Sequence, residues 1–277
     1  LATKEQIRDL KQKAVNLRCL IIEMLGYGKA GHLGGSCSCA DIIAALYFYK
    51  MKYDPKDPKF KGRDRFVLSK GHAAPAQYAA LAEVGYFPVE ALKSLKELGS
   101  FLQGHPDLRK TPGIEANTGS LGQGLSIACG MAMGLKLDGS KSKVYTILGD
   151  GEIAEGQVWE ATMAASNYKL DNLVAILDKN SLGSTGFIAQ RFDIKNPKEK
   201  WEAFGWHVLE IDGHDMEQIC DALDKADEVK EKPVMIIANT VKGKCISFAE
   251  NNPACHNYAM TEEQYYKALT DLNNITL

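Results

Sequence analysis

Short apolar runs recur along the chain, and several stop abruptly on polar clusters. Val144–Leu148 runs into Gly149-Asp150-Gly151, and Leu173–Leu177 runs into Asp178-Lys179-Asn180-Ser181. Runs of this length, rich in Val, Ile and Leu and bounded by turn residues, predict buried strands. Arg65–Ser69, His207–Ile211 and Val234–Thr240 read the same way. Between them the period changes. Ile7, Leu10, Ala14, Leu17, Ile21 and Met24 fall at helical spacing, Thr3 with Gln6 predicts a capping box, and Gly26 and Gly28 end the helix. Ala40–Tyr49, Ala73–Val84, Leu125–Leu137, Ile153–Tyr168, Met216–Val229 and Thr261–Ile275 predict further helices. Glycine-rich loops fill Lys29–Ser36 and Gly113–Gly124, and a charged, Pro-containing surface loop fills 53–64. The β-α-β alternation predicts an α/β fold: a doubly wound, mostly parallel sheet flanked by helices. No repeat or low-complexity linker divides residues 1–277, so one domain is expected.

Strand ends are where such a sheet puts its chemistry, because ligands bind beyond the carboxyl ends of parallel strands. Asp150 and Asn180 would then project oxygens into one crevice. A carboxylate and an amide oxygen suit a hard divalent cation that also holds phosphate. The glycines beside Asp150 let the backbone approach a diphosphate closely, and the Gly151 N–H is expected at the start of a helix, where the dipole favours anions.

Composition narrows the class. The chain is 45% hydrophobic and 25% charged, as in ordinary globular proteins. A net charge of −2 gives no bulk attraction for nucleic acid or membranes, so phosphate binding must come from placed groups. Seven cysteines are an odd number without a CxxC pair, which reads as incidental thiols rather than a disulfide framework or a zinc site. No apolar run reaches spanning length and no signal peptide is evident, so the cytoplasm is expected.

Gly149-Asp150-Gly151 followed by Asn180 resembles the thiamine diphosphate (ThDP) motif, with Lys179 standing where the first of two Asn is usual. From about Leu17 to about His256 the chain resembles the N-terminal, diphosphate-binding half of transketolase. Four of the six histidines sit in the matching loops: Gly31-His32-Leu33-Gly34-Gly35, Lys70-Gly71-His72, Gly104-His105-Pro106 and Cys255-His256-Asn257. The resemblance implies ThDP with Mg²⁺ (or Ca²⁺ or Mn²⁺) held by Asp150, Asn180 and the Leu182 carbonyl. It implies that His32 and His105 bind the hydroxyls of a ketose, while His72 and His256 lie toward the diphosphate and the reacting carbon. Gly119-Ser120-Leu121-Gly122-Gln123-Gly124 resembles the cofactor-cradling loop, with Gly119 and Leu121 near the aminopyrimidine. Glu155, four residues after Gly151, resembles the glutamate that links two cofactor sites across a dimer interface. No family role falls on His207 or His214.

The implied activity is transfer of a two-carbon ketol unit from a ketose phosphate to an aldose phosphate, as in the pentose phosphate pathway. The family takes the glutamate that activates the pyrimidine ring, and most of its sugar-phosphate arginines, from a second domain for which this single β-α series has no counterpart. The chain is therefore expected to be the N-terminal subunit of a split transketolase, working with a C-terminal subunit in an α₂β₂ assembly. Two alternatives stand beside it. One is another kind of ThDP enzyme, related to the 2-oxo acid dehydrogenases or deoxyxylulose phosphate synthase, which the His32, His72 and His105 set opposes. The other is a non-catalytic ThDP-binding scaffold.

Overall fold

The computed structural model describes residues 1–277. Five parallel strands form the main sheet: β2 (Arg65–Leu68), β3 (Val144–Gly149), β4 (Leu173–Lys179), β5 (His207–Asp212) and β6 (Val234–Asn239). Their order is β2-β3-β4-β6-β5. A separate antiparallel pair joins β1 (Ala30–Gly31) to β7 (Tyr258–Ala259). The helices are α1 (Lys4–Leu25), α2 (Leu33–Ser38), α3 (Ala40–Ala45), α4 (Ala74–Glu83), α5 (Gln123–Leu137), α6 (Gly156–Asn167), α7 (Ile188–Arg191), α8 (Pro197–Ala203), α9 (Met216–Glu228) and α10 (Glu262–Asn273). None is long and apolar enough to cross a membrane.

The two-residue period of the strands divides the core into two layers. Phe66, Leu68, Tyr145, Ile147, Val174, Ile176, Val234 and Ile236 face one way, into a core shared with α1, α3, α4 and α9. Val67, Val144, Leu148, Leu173, Ala175, Leu177, Met235 and Ile237 face the other, against α5, α6 and Trp201 of α8. Both faces of the four strands β2, β3, β4 and β6 are covered, so these runs are largely apolar rather than alternating, whereas edge strand β5 exposes His207, Glu210 and Asp212. The doubly wound expectation holds. The expected Thr3–Gln6 capping box forms, and a second one joins Thr261 to Gln264 at the start of α10.

Several expected boundaries move. Leu33–Ser36 is helical rather than loop, because its small residues let α2 lie against neighbouring backbone. The helix expected from Ala40 to Tyr49 widens to a π-type turn over Leu46–Lys50. The helix expected from Ile153 breaks: Glu152–Ala154 is a single 3₁₀ turn, and Glu155 caps α6 in an extended conformation. The β1–β7 pair is too short to leave a periodic signal.

Gly124 sits where α5 meets the end of β2, and an added Cβ there would lie 2.5 Å from the Ser69 Cα. Gly130, further along the same helix, has open space at the same point. Gly124→Ala is expected to cost about 1–3 kcal/mol through overpacking against backbone. Gly130→Ala should be neutral or stabilise by up to about 1 kcal/mol. Urea melts of the two variants give the comparison.

Candidate active site

The carboxyl ends of β2, β3, β4 and β6 finish nearly level, with Gly149 opposite Asp178 and Lys179 opposite Asn239. Just beyond them lies a cavity of about 490 Å³. Each strand delivers a polar group on leaving the sheet: Lys70 and His72 after β2, Asp150 after β3, Asn180 after β4 and Lys242 after β6.

Asp178, the last buried side chain of β4, is fully enclosed and accepts from four groups. Lys70 Nζ, Ser38 Oγ (2.6 Å) and Asn180 Nδ2 (3.3 Å) donate to Oδ2, and Thr240 Oγ1 donates to Oδ1. Burial works against the Asp178 charge, but the Lys70 ammonium outweighs it and holds the carboxyl below its ordinary value. Because Asp178 only accepts, it orients the Asn180 amide with nitrogen inward and leaves Oδ1 to receive Leu182 N–H at 3.1 Å. Asp150 Oδ1 accepts from Gly151 N–H at 2.9 Å and Oδ2 accepts from Ser181 N–H. Ser181 takes a left-handed φ of 64° to make that contact. The Gly151 N–H expected to face a diphosphate is thus turned onto Asp150.

Burial, with the Asp178 charge nearby, pushes the Asp150 carboxyl up to about 7. Asp150, the Asn180 amide oxygen and the Leu182 carbonyl, which also accepts from Lys242, offer oxygens of the kind a hard cation takes. No cluster of three or more His, Cys, Asp or Glu exists to hold a metal by itself.

The four loop histidines converge. Ring centroids lie 5.2 Å apart for His32–His72, 6.1 Å for His32–His105, 5.5 Å for His32–His256 and 5.1 Å for His72–His256. The β1–β7 pair explains how: Gly31 pairs with Tyr258, bringing residue 32 beside residue 256. Gly119, at a φ of 139°, leaves room for the His105 ring, whose Cδ2 would lie 2.8 Å from any added Cβ. Burial depresses all four imidazoles, helped by Lys96 for His32 and His105, Lys70 for His72 and Lys242 for His256. His32 and His256 fall to about 4. The rings are therefore neutral at pH 7, each with one donor and one acceptor nitrogen. Lys242 donates to His256 Nδ1 at 2.9 Å, which leaves the proton of that ring on Nε2.

Of the residues singled out in the sequence, His32, His72, His105, His256, Gly119, Leu121, Asp150, Gly151, Asn180 and Leu182 line this one cavity. Glu155 does not. It is exposed at the cap of α6, outside the cavity. His207 is exposed at the start of β5, and His214 lies in a buried network away from the cavity. All seven cysteines are free thiols.

Four functional candidates carry no motif that marks them in the sequence. Asp178 and Lys70 form the buried pair. Lys242 donates to the Leu182 and Gly183 carbonyls at 2.8 and 2.9 Å, and burial, with Lys70 nearby, lowers its ammonium to about 8. Glu152 accepts from Ser69 Oγ, Gly122 N–H (3.0 Å) and Gly149 N–H (2.9 Å), so it knits three cavity loops together. Position at a strand end, applied to β2 and β6 as it was to β3 and β4, would have found both lysines.

Residues 10–272 match the family described as transketolase, thiamine diphosphate binding domain, and the chain belongs to that family. It is 47% identical to SqwG, a subunit of the 6-deoxy-6-sulfo-D-fructose transketolase of Clostridium sp. (strain MSTE9), over 97% of this chain and 98% of that one. It is 42% identical to one of the subunits of the apulose-4-phosphate transketolase of Phocaeicola vulgatus, over 97% and 95% of the two chains. Among solved structures, transketolase from Campylobacter jejuni superposes with a TM-score of 0.90 at 35% identity, over 97% of this chain and 44% of that one. The transketolase from Leishmania mexicana gives 0.90 at 32%, over 95% and 41%. The chain therefore spans less than half the length of those two transketolases.

The Lys70–Asp178 pair generates a stability prediction. Lys70→Met leaves a fully buried carboxylate without its cation, and the loss expected is about 3–5 kcal/mol. Equilibrium urea unfolding of the variant against the wild type measures it.

Proposed function

We propose that this chain is the ThDP-binding subunit of a two-chain transketolase, folded as one domain over residues 1–277. The observation that carries the reading is the meeting, in one cavity, of a cation-ready oxygen set with four neutral histidines. The near-complete overlap with two relatives named as transketolase subunits supports the division into two chains. The partner is a C-terminal transketolase subunit supplying the pyrimidine half of the site, in an α₂β₂ assembly.

Asp150, Asn180 and the Leu182 carbonyl would hold Mg²⁺, or a similar hard cation, against the diphosphate. Lys242 adds positive charge on the same side, which suits an anion in a chain whose net charge is only −2. Bound ThDP supplies the electron sink for cleavage beside a ketose carbonyl. The protein positions the sugar and handles protons. His32 and His105 hydrogen-bond the donor hydroxyls. A neutral imidazole of the cluster takes the hydroxyl proton as the C2–C3 bond breaks, and returns it to the oxygen of the acceptor aldehyde. Lys96, whose Nζ donates to the Ala30 carbonyl at 3.0 Å, sets a positive charge beside His32 and His105. That charge favours a sugar with an anionic end, such as a phosphate.

The purified chain alone is expected to show no ketol transfer from a ketose phosphate to an aldose phosphate, and the chain with its partner subunit full turnover. Robust turnover by the lone chain refutes the division of the site. In the reconstituted complex, His32→Ala or His105→Ala should lower kcat/KM by about 10²-fold or more without loss of assembly. Unchanged turnover would favour a scaffold. Asp150→Ala should abolish Mg²⁺-dependent ThDP uptake in calorimetry, and undiminished binding would remove the metal assignment.

A further inference from the structure

His214 stands in the turn between β5 and α9, outside the cavity, yet it is wired to it. Arg18 and Asp41 form a buried pair, with Arg18 also donating to the Cys37 carbonyl at 3.0 Å. Burial opposes the Asp41 charge, but Arg18 and His214 overcome it and hold the carboxyl well below its usual range. Asp41 is thus an acceptor only, and His214 Nδ1, 2.7 Å from Asp41 Oδ2, must carry the proton. In the neutral ring Nε2 is then an acceptor, and the Val241 N–H donates to it at 2.8 Å. Both contacts demand the same tautomer.

Val241 lies two residues beyond the end of β6, where strand pairing has stopped. The imidazole supplies the acceptor that a neighbouring strand would otherwise give. The next residue is Lys242, whose ammonium spends its three protons on Leu182 O, Gly183 O and His256 Nδ1. We propose that His214 is a positioning residue for Lys242: by fixing the Val241 peptide, it aims the ammonium at the Leu182 and Gly183 carbonyls and at His256, and so holds its charge beside the proposed diphosphate site. The inference rests on the reading of that cavity as a ThDP site.

The test uses the full chain with Mg²⁺ and ThDP in calorimetry, with thermal melts beside it. His214→Asn keeps a donor for Asp41 but loses the acceptor for Val241, whereas His214→Gln keeps an acceptor at the Nε2 position. His214→Asn should weaken ThDP binding up to about tenfold, the scale of one intramolecular hydrogen bond. His214→Gln should restore most of that affinity. In a Lys242→Met background, His214→Asn should change ThDP affinity no further, because the two substitutions break one linkage. A purely structural histidine would instead lower the melting temperature in both variants and add its effect to that of Lys242→Met. Should His214→Asn not fold, the Gln variant and its cycle with Lys242→Met decide: an additive loss overturns the proposal. Wild-type binding that His214→Asn retains in full overturns this inference alone. A wild-type chain that binds no ThDP overturns the proposed function and this inference with it.

Discussion

The Asp178 carboxylate is the point on which the cavity is built. It gathers Lys70 from the end of β2, Thr240 from the end of β6, Ser38 from α2 and Asn180 from its own strand. A charge buried this deeply survives only if it is both paired and hydrogen-bonded. The requirement acts on four segments far apart in the chain, so satisfying one carboxylate sets the relative positions of most groups that face the ligand. Asn180 is the clearest case: its amide direction follows from the fact that Asp178 can only accept.

From this arrangement the electrostatics of the site follow. Lys70 is neutralised by Asp178, while Asp150 is left with backbone N–H groups and too little positive charge. Burial first, and then the charges of Lys70, Lys96 and Lys242, keeps the nearby imidazoles uncharged. One side of the cavity thus gathers oxygens and backbone N–H groups, and the other presents uncharged rings that each offer a donor and an acceptor nitrogen. This separation comes from a few placed groups in a chain whose overall charge is close to neutral.

Much of this was legible in the residues. The strands, their polar ends and the capping box at Thr3 follow from short-range pattern, whereas the meeting of His32, His72, His105 and His256 is what the resemblance to transketolase implied. What pattern could not show was long-range or too short to have a period. The β1–β7 pair is two residues per strand. Asp178 and Lys70 stand in the polar clusters that end their strands, but that the two pair across 108 residues shows only in the fold. Glu152, three residues before the exposed Glu155, turns its carboxylate inward, which spacing alone does not reveal. His214 had no reading at all, because its partners, Asp41 and Val241, lie 173 and 27 residues away.

The short antiparallel clasp between residues 30–31 and 258–259 carries a consequence for biogenesis. The first histidine of the cluster is made early, but the segment that pins it emerges more than two hundred residues later. At a translation rate of roughly 5–20 residues per second, that interval is on the order of ten seconds or longer. β6 lies between β4 and β5, so the sheet itself is completed only shortly before the segment that closes the histidine wall. Sheet and histidine wall would thus be completed within one short stretch of synthesis, and competence to receive the coenzyme would arrive as one late event.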